Sequence, residues 1–235
     1  MIDPTPLWDF DDPEGSEQRF RAEAELADPE DRLVLTTQVA RALGLQERYD
    51  EGHAVLDDLS PTEDEVAIRI ALERGRLFRS AGDPDQARPL FEAAVQSASA
   101  GGFDTLQVDA LHMLALVVEP PEQLALGERA LAVARASTDQ RARDWDASLL
   151  NNLGMTHADA GDFAAALAKF EEALAARERI GDPNRTRVAR WTVAWALRNL
   201  GRHDEALEIQ RALKAELDAA GLSDPHVDEE LALLE

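Results

Sequence analysis

Small, large apolar and charged positions along this chain return in phase, and the phase predicts paired helices. Small residues fall at Gly52, Ala87, Gly127, Ala166 and Ala206, and twelve positions upstream of each stand Ala40, Gly75, Ala115, Gly154 and Ala194. Successive copies are separated by 35, 40, 39 and 40 positions. Four residues beyond the first set come Leu56, Phe91, Leu131, Phe170 and Gln210, and three further on Leu59, Ala94, Ala134, Ala173 and Leu213. Only Gln210 breaks the large apolar position. Two antiparallel helices approach closely where one presents a notch and the other a knob, and each copy supplies both. Glycine inside a helix costs about 1 kcal/mol against alanine. Gly75 and Gly154 are therefore expected where even a methyl group would obstruct the partner helix. Nothing alternates with period two for long enough to argue a strand, so the predicted class is all-α, built from repeats.

The clearest copy runs Leu150, Leu153, Gly154, Gly161, Asp162, Phe163, Ala166, Phe170, Ala173. This series resembles the tetratricopeptide repeat, in which a leucine-glycine pair on the first helix packs against alanine, phenylalanine and alanine on the second. The resemblance extends from near Leu33 to Gly221 and implies a right-handed α-solenoid of about five helix pairs with flanking helices. The first copy carries Glu47 where the turn glycine is sought. The third carries Glu122 there, with Pro120 and Pro121 ending the preceding helix. With its Leu7-Trp8-Asp9-Phe10-Asp11-Asp12 opening, the chain is also similar to bacterial tetratricopeptide proteins of unassigned function. A step near 40 exceeds the 34 residues of the plain motif, which predicts longer helices and turns and a wider groove.

Punctuation divides the chain accordingly. Residues 1–12 form an acidic lead, and Asp12 with Pro13 starts a helix over 13–27 in which Phe20 is an unpaired knob. Five repeats occupy 28–221. Asp28 with Pro29 opens the first, Thr62 to Glu65 introduces the second, and Asp182 with Pro183 separates the fourth from the fifth. Residues 222–235 are expected as a capping helix that covers the last apolar face with Val227, Leu231 and Leu234.

Composition narrows the chemistry. There are 47 acidic residues against 24 basic ones, a net charge of -23. Such a field repels polyphosphate backbones, so duplex nucleic acid is not an expected partner. The acids also read as solvated outer faces of helices. Zero cysteines remove thiol catalysis, disulfides and zinc-thiolate sites and fit a reducing compartment. No basic stretch followed by an apolar run opens the chain. The longest apolar run, near Leu111 to Val118, is far below the roughly 18 residues of a membrane span. A cytoplasmic protein without membrane contact is expected. His53, His112, His157, His203 and His226 never pair at metal-ligand spacing, and no metalloprotease, nucleophile-elbow, phosphate-loop or dinucleotide motif occurs. No catalytic residue, metal or cofactor is expected.

Within the family the first helix of each pair lines the concave surface. The resemblance therefore implies inner positions at Thr37, Leu72, His112, Asn151 and Trp191, then at Arg41, Arg76, Leu116, Met155 and Trp195 one turn later. Arg69, Arg79, Asn152 and Arg198 fall nearby. The implied lining is cationic at one end and aromatic at the other. Arginines there can take carboxylates bidentately, and Trp191 with Trp195 can hold an apolar or stacked group. Equally, the arginines can bridge to neighbouring acids while the tryptophans fill space between repeats. A chaperone-type carboxylate clamp is not supported, because no lysine stands where one is sought. Trp8 and Phe10 either plug such a groove or seal the first helices.

The expected function is a non-catalytic scaffold that binds a peptide segment or helix of a partner, one of acidic and aromatic character. The alternatives are a ligand- or peptide-responsive regulatory sensor and a self-associating structural adaptor. Arg76→Ala and Arg198→Ala are expected to spare folding and weaken binding. Ala166→Leu or Ala87→Leu should overfill the helix contact and lower stability by about 1–3 kcal/mol. An unchanged urea midpoint in either variant would refute the register.

Overall fold

Aspartate-proline pairs set where the helices begin. In the computed structural model, which describes residues 2–60 and 64–235, the carboxylates of Asp12, Asp28, Asp83, Asp182 and Asp224 each accept from a backbone N–H in the first turn of the helix that follows. Proline in that turn lacks the N–H that would otherwise go unpaired, and its fixed φ suits the helix. Thr62, assigned above to the start of the second repeat, lies outside the described residues.

The chain divides into two compact units, Met1–Leu126 and Gly127–Glu235. The first opens with a single 3-10 turn at Thr5–Leu7 and continues through α1 (Pro13–Leu26), α2 (Pro29–Leu45), α3 (Tyr49–Asp57), α4 (Asp64–Ser80), α5 (Pro84–Gly101) and α6 (Asp104–Ala115). The chain passes into the second unit within α7 (Pro120–Ala136). There it forms α8 (Gln140–Asp144), α9 (Asp146–Asp159), α10 (Phe163–Ile180), α11 (Pro183–Asn199), α12 (His203–Ala219) and α13 (Pro225–Leu234). The fold is all-α, and no strand occurs among the described residues.

Within each unit consecutive helices pack as hairpins, and the packing depends on missing atoms. A Cβ placed on Gly75 in α4 would lie 2.5 Å from the Phe91 ring of α5, and one on Gly154 in α9 would strike the Phe170 ring of α10. Both rings are fully buried. On the second helix of a pair, a Cβ on Gly52 would meet Leu77 at 2.8 Å, and one on Gly127 would meet Leu153 at 2.8 Å. Notch and knob vary together: Gly75 faces Phe91, whereas Ala40 shares a cluster with the smaller Leu56. Conserved volume at each contact is what a close-packed interior demands.

In every pair but the third, α6 with α7, the turn bends through a left-handed residue. Gly82, Gly161 and Gly201 have φ of 84°, 80° and 76°. Glu47 takes the same conformation at φ 61° without being glycine, so the first pair keeps the turn although its sequence lacks the usual residue.

At the amino-terminal end, Ile2, Leu7 and Trp8 pack against Phe20, Leu35, Val39 and Leu43, which supplies the unpaired Phe20 with a cover. At the other end Val227 and Leu231 of α13 join Leu213 and Leu217 of α12. Leu234 packs against the cluster around Phe170 and Leu197.

Gln210 occupies the large apolar position of the last pair. It is fully buried, and neither atom of its carboxamide has a partner. A buried amide without hydrogen bonds carries its full desolvation cost. Gln210→Leu should therefore raise the stability of the full chain by about 1–2 kcal/mol. Urea unfolding checks this, and a fall in stability would show that the amide is satisfied.

Candidate functional site

In the first unit the first helices of successive pairs, α2, α4 and α6, bring together the arginines singled out from the sequence, and they bring acids with them. Arg76 donates from Nη2 to both Asp109 oxygens at 2.6 Å and from Nη1 to Glu73 Oε1 at 2.5 Å. All three side chains are largely shielded from water. Burial raises the Asp109 carboxyl, but the Arg76 and Arg41 guanidiniums outweigh it and hold the group below the usual carboxylate range. Arg69 is held by Glu65 at 2.8 Å. His112 is half-buried, and burial pushes its imidazole below 6.5 against the opposing pull of Asp109.

Arg41 has a different kind of partner. Its guanidinium lies 5.3 Å from the Trp8 ring centroid and 5.5 Å from that of Phe10. Those rings stack on each other at 4.8 Å, and Trp8 Nε1 donates to Gln38 Oε1 at 3.1 Å. The lead thus seals the first helices and covers Arg41 in the same contact. Of the arginine set only Arg79 is exposed and has neither an ion pair nor a hydrogen bond among the described residues.

In the second unit the aromatic set is absorbed into packing. Trp195 meets Phe163 and Phe170 edge-on, with ring centroids at 5.4 and 6.3 Å, and stacks on Trp191 at 6.3 Å. Trp191 Nε1 donates to the carbonyl of His226 at 3.2 Å, so α13 lies beside it. Arg198 donates from Nε and Nη2 to the two oxygens of Glu230 on α13 at 2.7 and 2.9 Å. On α9, Asn151 and Asn152 are half-buried and Met155 is 36% exposed. Asn151 has no hydrogen-bond partner for its carboxamide among the described residues.

Of the two roles the sequence allowed for the arginines, the ion pairs of Arg76 and Arg198 favour bridging to neighbouring acids, because removing either guanidinium leaves a shielded carboxylate without its counter-charge. The sequence reading also passed over Arg177 and Arg185, which stand beside Asn151 at the junction of α10 and α11. They lie outside the inner positions that the repeat register supplies. The arginines among apolar positions at that junction were the available signal.

Among the described residues no group of three His, Asp or Glu side chains could hold a metal ion, and no helix is long and apolar enough to cross a membrane. The architecture is that of an α-helical hairpin-repeat protein. Residues 145–213, within the second unit, match the family model described as tetratricopeptide repeat, the family the sequence resembles.

Solved structures share the fold. BtubC (BKLC) from P. vanneervenii aligns over 96% of this chain and 95% of its own, with a TM-score of 0.68 at 16% identity. RapI in its apo form aligns over 96% of this chain and 67% of its own, with a TM-score of 0.76 at 11% identity. NprR in complex with its cognate peptide NprX aligns over 96% of this chain and 66% of its own, with a TM-score of 0.55 at 17% identity. At these identities the likeness is one of fold. No curated protein matches the chain.

Arg76→Ala should destabilise the first unit by about 3 kcal/mol, as expected when one partner of a shielded ion pair is lost. Arg79→Ala should be within about 0.5 kcal/mol of the parent. Equal urea midpoints for the two variants would refute the structural role of Arg76.

Proposed function

We propose that the protein is a non-catalytic interaction module that holds a peptide segment of a partner protein against the inner helices of its second unit, α9 and α11. One observation carries the reading: ion pairs, the lead and α13 already engage Arg41, Arg69, Arg76, Trp191 and Arg198, whereas Asn151 and Met155 remain open. An unpaired carboxamide can both donate to and accept from an extended main chain. Met155 beside it offers an adaptable apolar contact. In this reading residues 28–221 are the five repeats, and the helices at 13–27 and 222–235 close them. A cysteine-free, acidic chain of this kind suits a cytoplasmic setting.

A second reading, a peptide-responsive sensor, draws support from the fold shared with NprR, whose structure holds its cognate peptide. Both readings place a peptide on this face. They differ in whether binding alters the rest of the chain.

Selection of a random dodecapeptide display library against the full chain tests the proposal. Enriched peptides should bind saturably, and a double Asn151→Ala, Met155→Ala variant should bind them about tenfold more weakly while keeping its unfolding midpoint. Absence of enrichment, or equal binding by the variant, overturns it. Concentration-dependent mass without peptide binding would point to a self-associating adaptor instead.

A further inference from the structure

The second unit holds a cavity of about 300 Å3 where α9, the end of α10 and the start of α11 meet. Its wall includes Ser148 and Asn151 from α9, Ala173 and Arg177 from α10, and Arg185 and Val188 from α11. Most arginines described above are held at short range by a carboxylate. Arg177 is not, and Arg185 has only a longer contact of 3.4 Å to Asp182. Arg177 donates from Nη2 to the neutral hydroxyl of Ser148 at 2.8 Å. Burial, and next the charge of Arg185, push the Arg177 guanidinium down, so the cavity places two cations within reach of each other.

Nearby acids do not close the gap. Asp146 is gripped by Nη2 of Arg179 at 2.7 and 2.9 Å. Asp182 spends Oδ1 on the backbone N–H groups of Asn184 and Arg185, and its Oδ2 stands 3.4 Å from Arg185 Nε. That leaves an inner cation with a neutral partner, an outer cation loosely held and an amide with no partner. Alongside them run the buried Ala173 and the 59% exposed Val188. The set suits a planar anion on a short aliphatic stem. Guanidinium forks match carboxylate geometry, and the amide N–H of Asn151 adds a third donor. The field of a chain carrying -23 opposes a doubly charged phosphate more strongly than a single carboxylate.

We infer that this cavity is a carboxylate-binding subsite, in which Arg177 and Arg185 clasp an acidic group of a bound peptide while its stem rests on Val188 and Ala173. The inference rests on the peptide reading of the same face, because Asn151 belongs to both. It names an acidic residue or a chain end as the group the partner must present.

The test uses the isotope-labelled full chain, with the Nε–Hε resonances of its arginines followed by NMR. Four probes are added separately: glutarate, inorganic phosphate, acetyl-Ala-Leu-Glu-Ala-amide, and acetyl-Ala-Leu-Gln-Ala with a free carboxyl end. Glutarate and at least one peptide should shift Arg177 and Arg185 saturably. Arg177→Gln and Arg185→Gln should each weaken that binding by about tenfold or more, the value of one charge-assisted hydrogen bond. Arg211→Gln, whose parent residue lies midway along α12, pairs with Glu235 and does not line the cavity, should leave it unchanged.

Response to the glutamate peptide identifies a side-chain carboxylate as the ligand, and response to the free-acid peptide identifies a chain end. No saturable shift with any carboxylate, a response to phosphate alone, or unaltered binding in both variants overturns the inference. Should Arg177→Gln fail to fold, the exposed Arg185 variant decides. Selected dodecapeptides that depend on Asn151 and Met155 but not on either arginine would sink the subsite and leave the interaction module standing. Glutarate binding without any selected peptide would do the reverse.

Discussion

Every element of this protein is spaced by the volume at one contact per hairpin. Where the first helix offers glycine, the second brings phenylalanine, as at Gly75 with Phe91 and Gly154 with Phe170; where it offers Ala40, the knob shrinks to Leu56. A helix pair held at that distance turns a fixed set of side chains toward its neighbour, and the ion pairs follow. Arg76 reaches Asp109, 33 residues away, because α4 and α6 stand side by side in the same orientation. Widening the first contact by a methyl group would move the second by a comparable distance, which a bidentate pair does not tolerate.

The fold was legible because the notch and knob positions are a matter of phase. Ten small residues in register, together with the aspartate-proline starts, were enough to place hairpins before any contact was seen. Even Glu47 did not disturb the reading, since packing on either side imposes the left-handed turn that its side chain resists. The candidate site was much less legible. Phase tells which face of a helix a residue is on, but an ion pair depends on the axial offset between two helices. With acids twice as common as bases, Arg69, Arg76 and Arg198 each find a carboxylate. Arg41, Arg69, Arg76 and Arg198 were placed on that face by the register and then engaged by partners that periodicity does not encode. Arg177 and Arg185 escaped notice for the complementary reason: they sit at a helix junction, where the register has no fixed position.

The two terminal segments show how different sequences meet one requirement. The lead lays two aromatic rings over Arg41 and fills the space above Phe20. The helix α13 instead supplies Glu230 to Arg198 and a carbonyl to Trp191 while burying Val227. In both cases an arginine that would otherwise face solvent is turned into part of the seal.

The ties between successive helix pairs also give the molecule a two-sided response to ionic strength. Arg88 with Glu122 and Arg135 with Glu172 lie in the open, where added salt screens them readily. Arg76 with Asp109 and Arg198 with Glu230 are sheltered from the mobile ions. The same salt relieves the mutual repulsion of a chain carrying -23. Added electrolyte therefore works in both directions at once, and the sheltered pairs continue to hold neighbouring hairpins together after the outer ones have been screened.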